Sequence, residues 1–176
     1  EHKYRTDGTT IQDVFADRVF RLQRTGPWVV SVDEADAFGL IPHKAIRLVL
    51  RTLGLNKDEV RLILDVVRIR TVWKGEKLKG KNGHGIEQGN PLSPLIFNLV
   101  HSYIADRLEA EGIASAFFGD DIQLFALTHQ AARKAFEAFK AISEELGFTN
   151  IRSLGTGRKE TVIYYTGPGA PEILEG

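Results

Sequence analysis

Two adjacent aspartates, Asp120-Asp121, stand between the apolar runs Ala114 to Phe118 and Ile122-Gln123-Leu124-Phe125. Such a pattern reads as a β-hairpin with Gly119-Asp120-Asp121 at its turn. Two carboxylates held together cost free energy unless something neutralises them, and a divalent cation does so with oxygen ligands. A third carboxylate, Asp33, closes the apolar strand Trp28-Val29-Val30-Ser31-Val32. A plain acidic hairpin turn is the competing account of Gly-Asp-Asp taken alone.

The remaining elements follow from periodicity and capping. Thr10 with Asp13 three residues on marks a helix start, and Ile11, Val14, Phe15, Val19 and Leu22 continue at helical spacing until Gly26-Pro27. After the Trp28–Asp33 strand, helices are expected over 43–53 and over 57 to about 68, the second capped by Asn56. A small hairpin spans 71–78, and a glycine-rich loop covers 80–90. Ser93-Pro94 opens a helix reaching about Glu109, with Ser93 as cap and Pro94 at the first position. The last elements are a helix over 129–146 stopped by Gly147 and strands over 149–153 and 161–165.

The main order is strand, helices, strand, strand, helix, strand. It is the split β-α-β-β-α-β arrangement of an α+β fold: a ferredoxin-like antiparallel sheet with helices on one face. In that topology the Trp28–Asp33 and Ala114–Phe118 strands run the same way and end at the same sheet edge. Asp33 and the Asp120-Asp121 turn should therefore face one another. Two metal ions bridged by such a cluster deprotonate an attacking hydroxyl and steady a leaving pyrophosphate.

Composition sets limits without choosing a function. The 176 residues suffice for one domain with its own core. Lys plus Arg and Asp plus Glu number 23 each, so any basic surface must be local. Without cysteine there are no disulfides or thiolate metal sites, which fits a reducing compartment. No apolar run approaches the ~18 residues of a membrane span, and no signal peptide is visible. These features point to a cytoplasmic protein with no membrane partner. A chain that begins at Glu1 and contains no methionine reads as a piece of a longer polypeptide.

Over roughly residues 8–165 the chain resembles the palm of a reverse transcriptase of the bacterial group II intron, retron and diversity-generating types. Val32-Asp33-Glu34-Ala35-Asp36-Ala37-Phe38 is similar to the family's first acidic motif. By that resemblance Asp33 is a metal ligand, the Glu34 backbone carbonyl adds another, and Phe38 is the steric gate against a ribose 2′-OH. Gln88-Gly89-Asn90-Pro91-Leu92-Ser93-Pro94-Leu95-Ile96-Phe97-Asn98 resembles the Gln-Gly-x-x-x-Ser-Pro-x-x-x-Asn motif lining the nucleotide and template site. It implies Gln88 and Gly89 beside the incoming nucleotide, with Pro91, Ser93 and Asn98 on the template–primer side.

Phe118-Gly119-Asp120-Asp121 resembles the third motif, with Gly119 a departure closer to viral RNA polymerases. Asp120 is the better candidate ligand; Asp121 is a second ligand or a support for the turn. Lys159 resembles the lysine that meets the triphosphate, with Arg158 as a rival. Tyr164 to Gly167 is a candidate primer-holding hairpin. Lys74, Lys77, Lys79 and Lys81 form a basic run that either meets phosphates or is a solvated hairpin face. The histidines show no metal-ligand spacing.

The resemblance implies an RNA-directed DNA polymerase using two Mg²⁺ ions, with Mn²⁺ able to substitute. It also implies an RNA template, a DNA or RNA primer and dNTPs as partners, in a bacterial, nucleic-acid-associated setting. Residues 1–176 then form a single palm domain, with 1–26 a residual fingers segment and helix, 27–166 the palm core, and no thumb. Fingers and thumb regions of a longer chain would be further partners. The alternatives are a catalytically silent nucleic-acid-binding or assembly module, an RNA-dependent RNA polymerase, and a diguanylate-cyclase-like palm.

Overall fold

The computed structural model describes residues 10–68, 71–73, 76–78, 83–157 and 159–169. Helix α1 (Ile11–Thr25) starts with a reciprocal cap, the Asp13 N–H donating to Thr10 Oγ1 at 3.1 Å and the Thr10 N–H to Asp13 Oδ2 at 2.7 Å. It stops at Gly26, where a Cβ would lie 2.9 Å from the Ala126 nitrogen, so only glycine lets the chain cross there. Strand β1 (Trp28–Val32) follows, then a one-turn helix α2 (Ala37–Leu40), α3 (His43–Thr52) and α4 (Lys57–Val67). Strands β2 (Thr71–Trp73) and β3 (Glu76–Leu78) pair as a separate hairpin. Then come α5 (Ser93–Ala110), β4 (Ala114–Phe118), β5 (Asp121–Ala126), α6 (His129–Leu146) and β6 (Val162–Tyr165).

The main sheet has the order β4-β5-β1-β6 with every pair antiparallel, so β1 and β4 run the same way. Alternation along the strands sorts the side chains between two faces. Val30, Val32, Ile122 and Leu124 point into the main core with Phe97, Ile104, Leu108, Phe139 and Leu146 from α5 and α6. Val29, Ala116 and Phe125 point the other way, against Phe15, Val19 and Leu22 of α1. Helices α3 and α4 extend the main core outward through Ile46, Val49, Leu50, Val60 and Leu64.

The α+β split arrangement is present, with one addition to the helices expected on a single face. α1 covers the opposite face, where Phe15 meets Phe118 at 5.5 Å between ring centroids and Arg18 donates to the Ser115 carbonyl at 3.0 Å. Within the segment 1–26, helix α1 packs on the sheet. It also satisfies a backbone acceptor on edge strand β4.

Two local readings change. Ser93 is the first helical residue of α5, fully buried, and the cap position falls on Leu92 without a side-chain bond. Asn90 does the capping work instead: its Oδ1 accepts the Leu92 N–H and its carbonyl accepts the Ser93 N–H, both at 3.0 Å. The strand expected over 149–153 reduces to isolated bridges, Glu34 with Ile151 and Leu154 with Thr161. The chain there turns back on itself around the Glu160 carboxylate, which accepts the Gly157 N–H at 2.6 Å. Lys74, Lys79, Lys81 and Arg158 lie outside the described residues, as does the Lys77 side chain.

Candidate active site

The hairpin that carries the acidic pair is as tight as a hairpin can be. Phe118 pairs directly with Asp121, leaving Gly119 and Asp120 as a two-residue loop. Gly119 has φ +59°, while no other residue of the turn has a positive φ. A positive φ at the first central position alone is the type II′ pattern, which matches strand twist and calls for glycine there. The departure at Gly119 therefore has a local cause. It aims Asp120 outward from the end of β4.

Asp33 leaves the end of β1 on the same edge. Asp33, Asp120, Asp121 and Glu160 line one cleft of about 290 Å³, together with Ser31, Val32, Glu34, Gly157 and Val162. Asp33 is held on its backbone from two sides. Its N–H donates to Thr161 Oγ1 at 3.2 Å, and its carbonyl accepts the Arg152 N–H at 2.9 Å. Thr161 is buried, and its hydroxyl donates in turn to the Arg152 carbonyl at 2.8 Å. Arg152 Nε stands 3.5 Å from Asp33 Oδ2, an open ion pair at a half-exposed position. Asn150 completes the frame, its Nδ2 donating to the Ala35 carbonyl at 3.0 Å.

The donor set suits a hard cation, since every acidic group in the cleft offers carboxylate oxygen. Among the described residues, no three His, Cys, Asp or Glu side chains gather closely enough to hold an ion by themselves. Mg²⁺ is commonly held by one or two carboxylates, with substrate phosphates and water completing its shell, so a polymerase-type site needs no all-protein cage. Asp33 and Asp120 fit that role. The bridge between Glu34 and Ile151 uses the carbonyls of Asp33 and Asn150, not that of Glu34. The Glu34 carbonyl thus stays outside the ladder beside the cleft.

The Glu34 side chain goes inward. It is fully buried with His101, whose Nε2 lies 3.4 Å from both carboxylate oxygens. His101 Nδ1 donates to the Phe97 carbonyl at 3.0 Å. Its ring stacks on Phe97 at 4.1 Å, and Phe97 stacks on Phe38 at 4.5 Å with the rings 4° from parallel. The half-buried Phe38 is therefore clamped on one face by a core aromatic, although it is not among the residues that line the cleft.

Phe38 is also tied to the second motif, for its carbonyl accepts the Ile86 N–H at 2.9 Å. The same loop is stitched by Gly85 N–H to Ile41 O and Glu87 N–H to Val67 O. Gln88, Gly89 (φ +89°), Pro91 and Asn98 are exposed. Ser93 is not, and its hydroxyl has no hydrogen-bond partner, so its side chain packs and does not face a template. Lys159 is exposed, next to Glu160 at the cleft. Tyr164 and Tyr165 belong to β6, where Tyr165 packs on Trp28 at 5.1 Å and Thr166 is tied to Pro27.

Sequence reasoning missed Thr161, Arg152, Asn150, Glu160 and His101. Glu160 and Thr161, beside Lys159, sit where a local pattern pointed.

Carboxylates at the shared end of β1 and the β4–β5 turn define a polymerase-type palm. Residues 3–150 match the family described as "Reverse transcriptase (RNA-dependent DNA polymerase)", and the chain belongs to that family. Among curated proteins it is 30% identical over 72% of its length to a Pol polyprotein from type-1 retrotransposable element R2 of Nasonia vitripennis. It is 31% identical over 70% of its length to the R2DM counterpart from Drosophila melanogaster. The chain spans 14% and 13% of those two relatives. Among solved structures, apo telomerase from Candida tropicalis truncated from its C-terminal domain matches with a TM-score of 0.58. That match covers 93% of this chain and 36% of the telomerase at 13% identity, a likeness of fold alone. Among the described residues no helix is long and apolar enough to cross a membrane.

Proposed function

We propose that this chain is the catalytic palm of an RNA-directed DNA polymerase, extending a primer 3′-OH with dNTPs on an RNA template. The observation that carries the reading is the convergence of Asp33 and Asp120, from separate elements, on one cleft. Asp33 and Asp120 hold the metal, with Asp121 and the Glu34 carbonyl at its margin. Mg²⁺, or Mn²⁺ in its place, supplies charge neutralisation at the reacting phosphate and lowers the pKa of the attacking hydroxyl. The chain's own contribution is positioning. Thr161 and the Arg152 N–H fix the Asp33 backbone, so the carboxylate needs little reorganisation when charge develops.

Phe38, backed by Phe97, excludes a 2′-hydroxyl, and Gln88 and Gly89 border the incoming nucleotide. Pro91 and Asn98 face the template–primer side, and Lys159 reaches the triphosphate. Residues 10–166 act as one palm body, to which fingers and thumb regions would be added as partners. The R2 relatives support a retroelement polymerase as the source. The bacterial lineage, like a cytoplasmic location, rests on the motifs and composition alone.

Primer extension on an RNA template tests this reading in the full-length protein. Asp33→Asn and Asp120→Asn should each abolish DNA synthesis while primer–template binding persists; synthesis surviving in either variant would refute the assignment. Phe38→Ala should admit ribonucleotides. Robust NTP use by the unmutated protein would favour an RNA polymerase.

A second reading, a silent RT-derived binding module, is favoured by the ungathered carboxylates and the Arg152 side chain beside Asp33. Titration with Mg²⁺ and dNTP separates the two, since a silent module leaves the cleft unoccupied at millimolar metal.

A further inference from the structure

Away from the catalytic cleft, α3 and α4 enclose a groove of about 590 Å³. Its walls carry Arg47 and Arg51 from α3, and Lys57, Arg61 and Arg68 from α4 and its end. The spacing builds two cationic stripes. Arg47 and Arg51 are four apart, as are Lys57 and Arg61, so each pair shares a helix face. Five permanent cations meet two carboxylates, Asp58 and Asp65, and Asp65 is engaged by Arg68 at 3.1 Å. Arg47, Arg51, Lys57 and Arg61 have no carboxylate partner among the described residues.

Concentrated positive charge is notable in a chain whose net charge is zero. Like charges at i,i+4 repel, so the arrangement costs stability unless an anion supplies the missing charge. Buried His43 on the groove floor responds to the same field. Burial holds its imidazole below the ordinary value, and Arg47 and Arg68 push it further down. Apart from Val60 and Leu64, every side chain that lines the groove is charged or an imidazole. Four of the five cations are arginines, whose planar forks match phosphate oxygens.

We propose that the α3–α4 groove is a second nucleic-acid site, which grips the phosphate backbone of a strand outside the catalytic cleft. The groove is anchored to the nucleotide-side loop, since His43 Nε2 donates to the Gly85 carbonyl at 2.7 Å and the His43 N–H to the Gly83 carbonyl at 2.8 Å. A strand held there stays next to the loop that carries Gln88. The site does not depend on catalysis, so it stands or falls separately from the polymerase reading.

The test uses the full-length protein carrying Asp120→Asn, which removes synthesis from the measurement. Arg47→Gln/Arg51→Gln/Arg61→Gln is compared with the parent by fluorescence anisotropy of labelled single-stranded RNA over a range of KCl. Losing three phosphate contacts should flatten the slope of log K against log salt by about two, at ~0.7 per contact for single strands. Arg→Lys at the same three positions should retain most of that slope. Exposed Arg133→Gln/Lys134→Gln on α6 is the control for general charge.

An equal loss on DNA of the same sequence supports a site that reads phosphate, and a loss confined to RNA supports one that also reads the 2′-OH. An unchanged slope in the triple variant, or an equal loss in the α6 control, overturns the proposal. Binding of polyglutamate, but not nucleic acid, through these arginines would overturn it in favour of an acidic protein partner. Circular dichroism of the triple variant checks the fold, which should persist because Arg47, Arg51 and Arg61 are exposed.

Discussion

Removing His101 should destabilise this chain, although no cleft-lining position is touched. The Glu34 carboxylate is fully buried and has His101 Nε2 as its polar neighbour, at 3.4 Å. Its Oε2 has no other hydrogen-bond partner. His101→Leu would leave the buried Glu34 side chain without its polar neighbour, which costs about 1–3 kcal/mol for an unsatisfied buried group. For a chain of this length each kcal/mol moves Tm by roughly 2–4 °C, so a fall of about 2–12 °C is expected. Replacing both residues with apolar ones of similar volume removes the unsatisfied group and should restore stability to within about 1 kcal/mol of the parent. The assay is a double-mutant cycle of His101→Leu, Glu34→Leu and the pair, by guanidinium and thermal unfolding. The reasoning fails if His101→Leu alone costs under about 1 kcal/mol, or if the double variant is no better than the single. Because His101 backs Phe97 and Phe38, His101→Leu should also loosen dNTP-over-NTP discrimination in primer extension.

Other outcomes follow from single contacts. Gly119→Ala meets no atom that its Cβ would strike, so its cost is backbone alone, about 1–3 kcal/mol for a non-glycine at φ +59°; DNA synthesis should fall with it, because the turn aims Asp120. Thr161→Val removes an acceptor from the Asp33 N–H and a donor from the Arg152 carbonyl, at about 1–3 kcal/mol, and should lower kcat with little change in KM for dNTP. His43 is held neutral by burial, with its imidazole below the ordinary 6.5. On acidification the unfolded chain takes up that proton first, so stability is full above about pH 7.5 and falls as pH drops through 6.5 toward the lower folded value. Tm measured at pH 8 and pH 5.5 should converge more closely in His43→Gln than in the parent, and identical pH profiles would refute the account.

The local patterns were legible in the chain as written. Thr10 and Asp13 announced α1, Asn56 announced α4, and Gly147 ended α6, because a cap is a contact between near neighbours that leaves a short signature. The apolar runs on either side of Asp120-Asp121 marked the hairpin, and the order of strands and helices was enough to put Asp33 and Asp120 on one edge. Sequence also showed that residues 11–22 form an amphipathic helix, but not which face of the sheet receives it. An apolar stripe demands burial without naming its partner, and α1 took the face opposite α5 and α6.

What tertiary structure alone decided were the long-range pairings. Glu34 with His101, Thr161 with Asp33, and Arg152 with Asp33 join residues far apart in sequence through one or two polar contacts each. Such pairs impose no period on the chain, so they stay silent in it. Ser93 looked like a cap and became a buried first helical residue because Asn90 supplied the bonds that a cap would have made. The carboxylates of the cleft were readable because topology repeats across chains. The groups that hold them in place were not, because each depends on which side chain the folded core brings within reach.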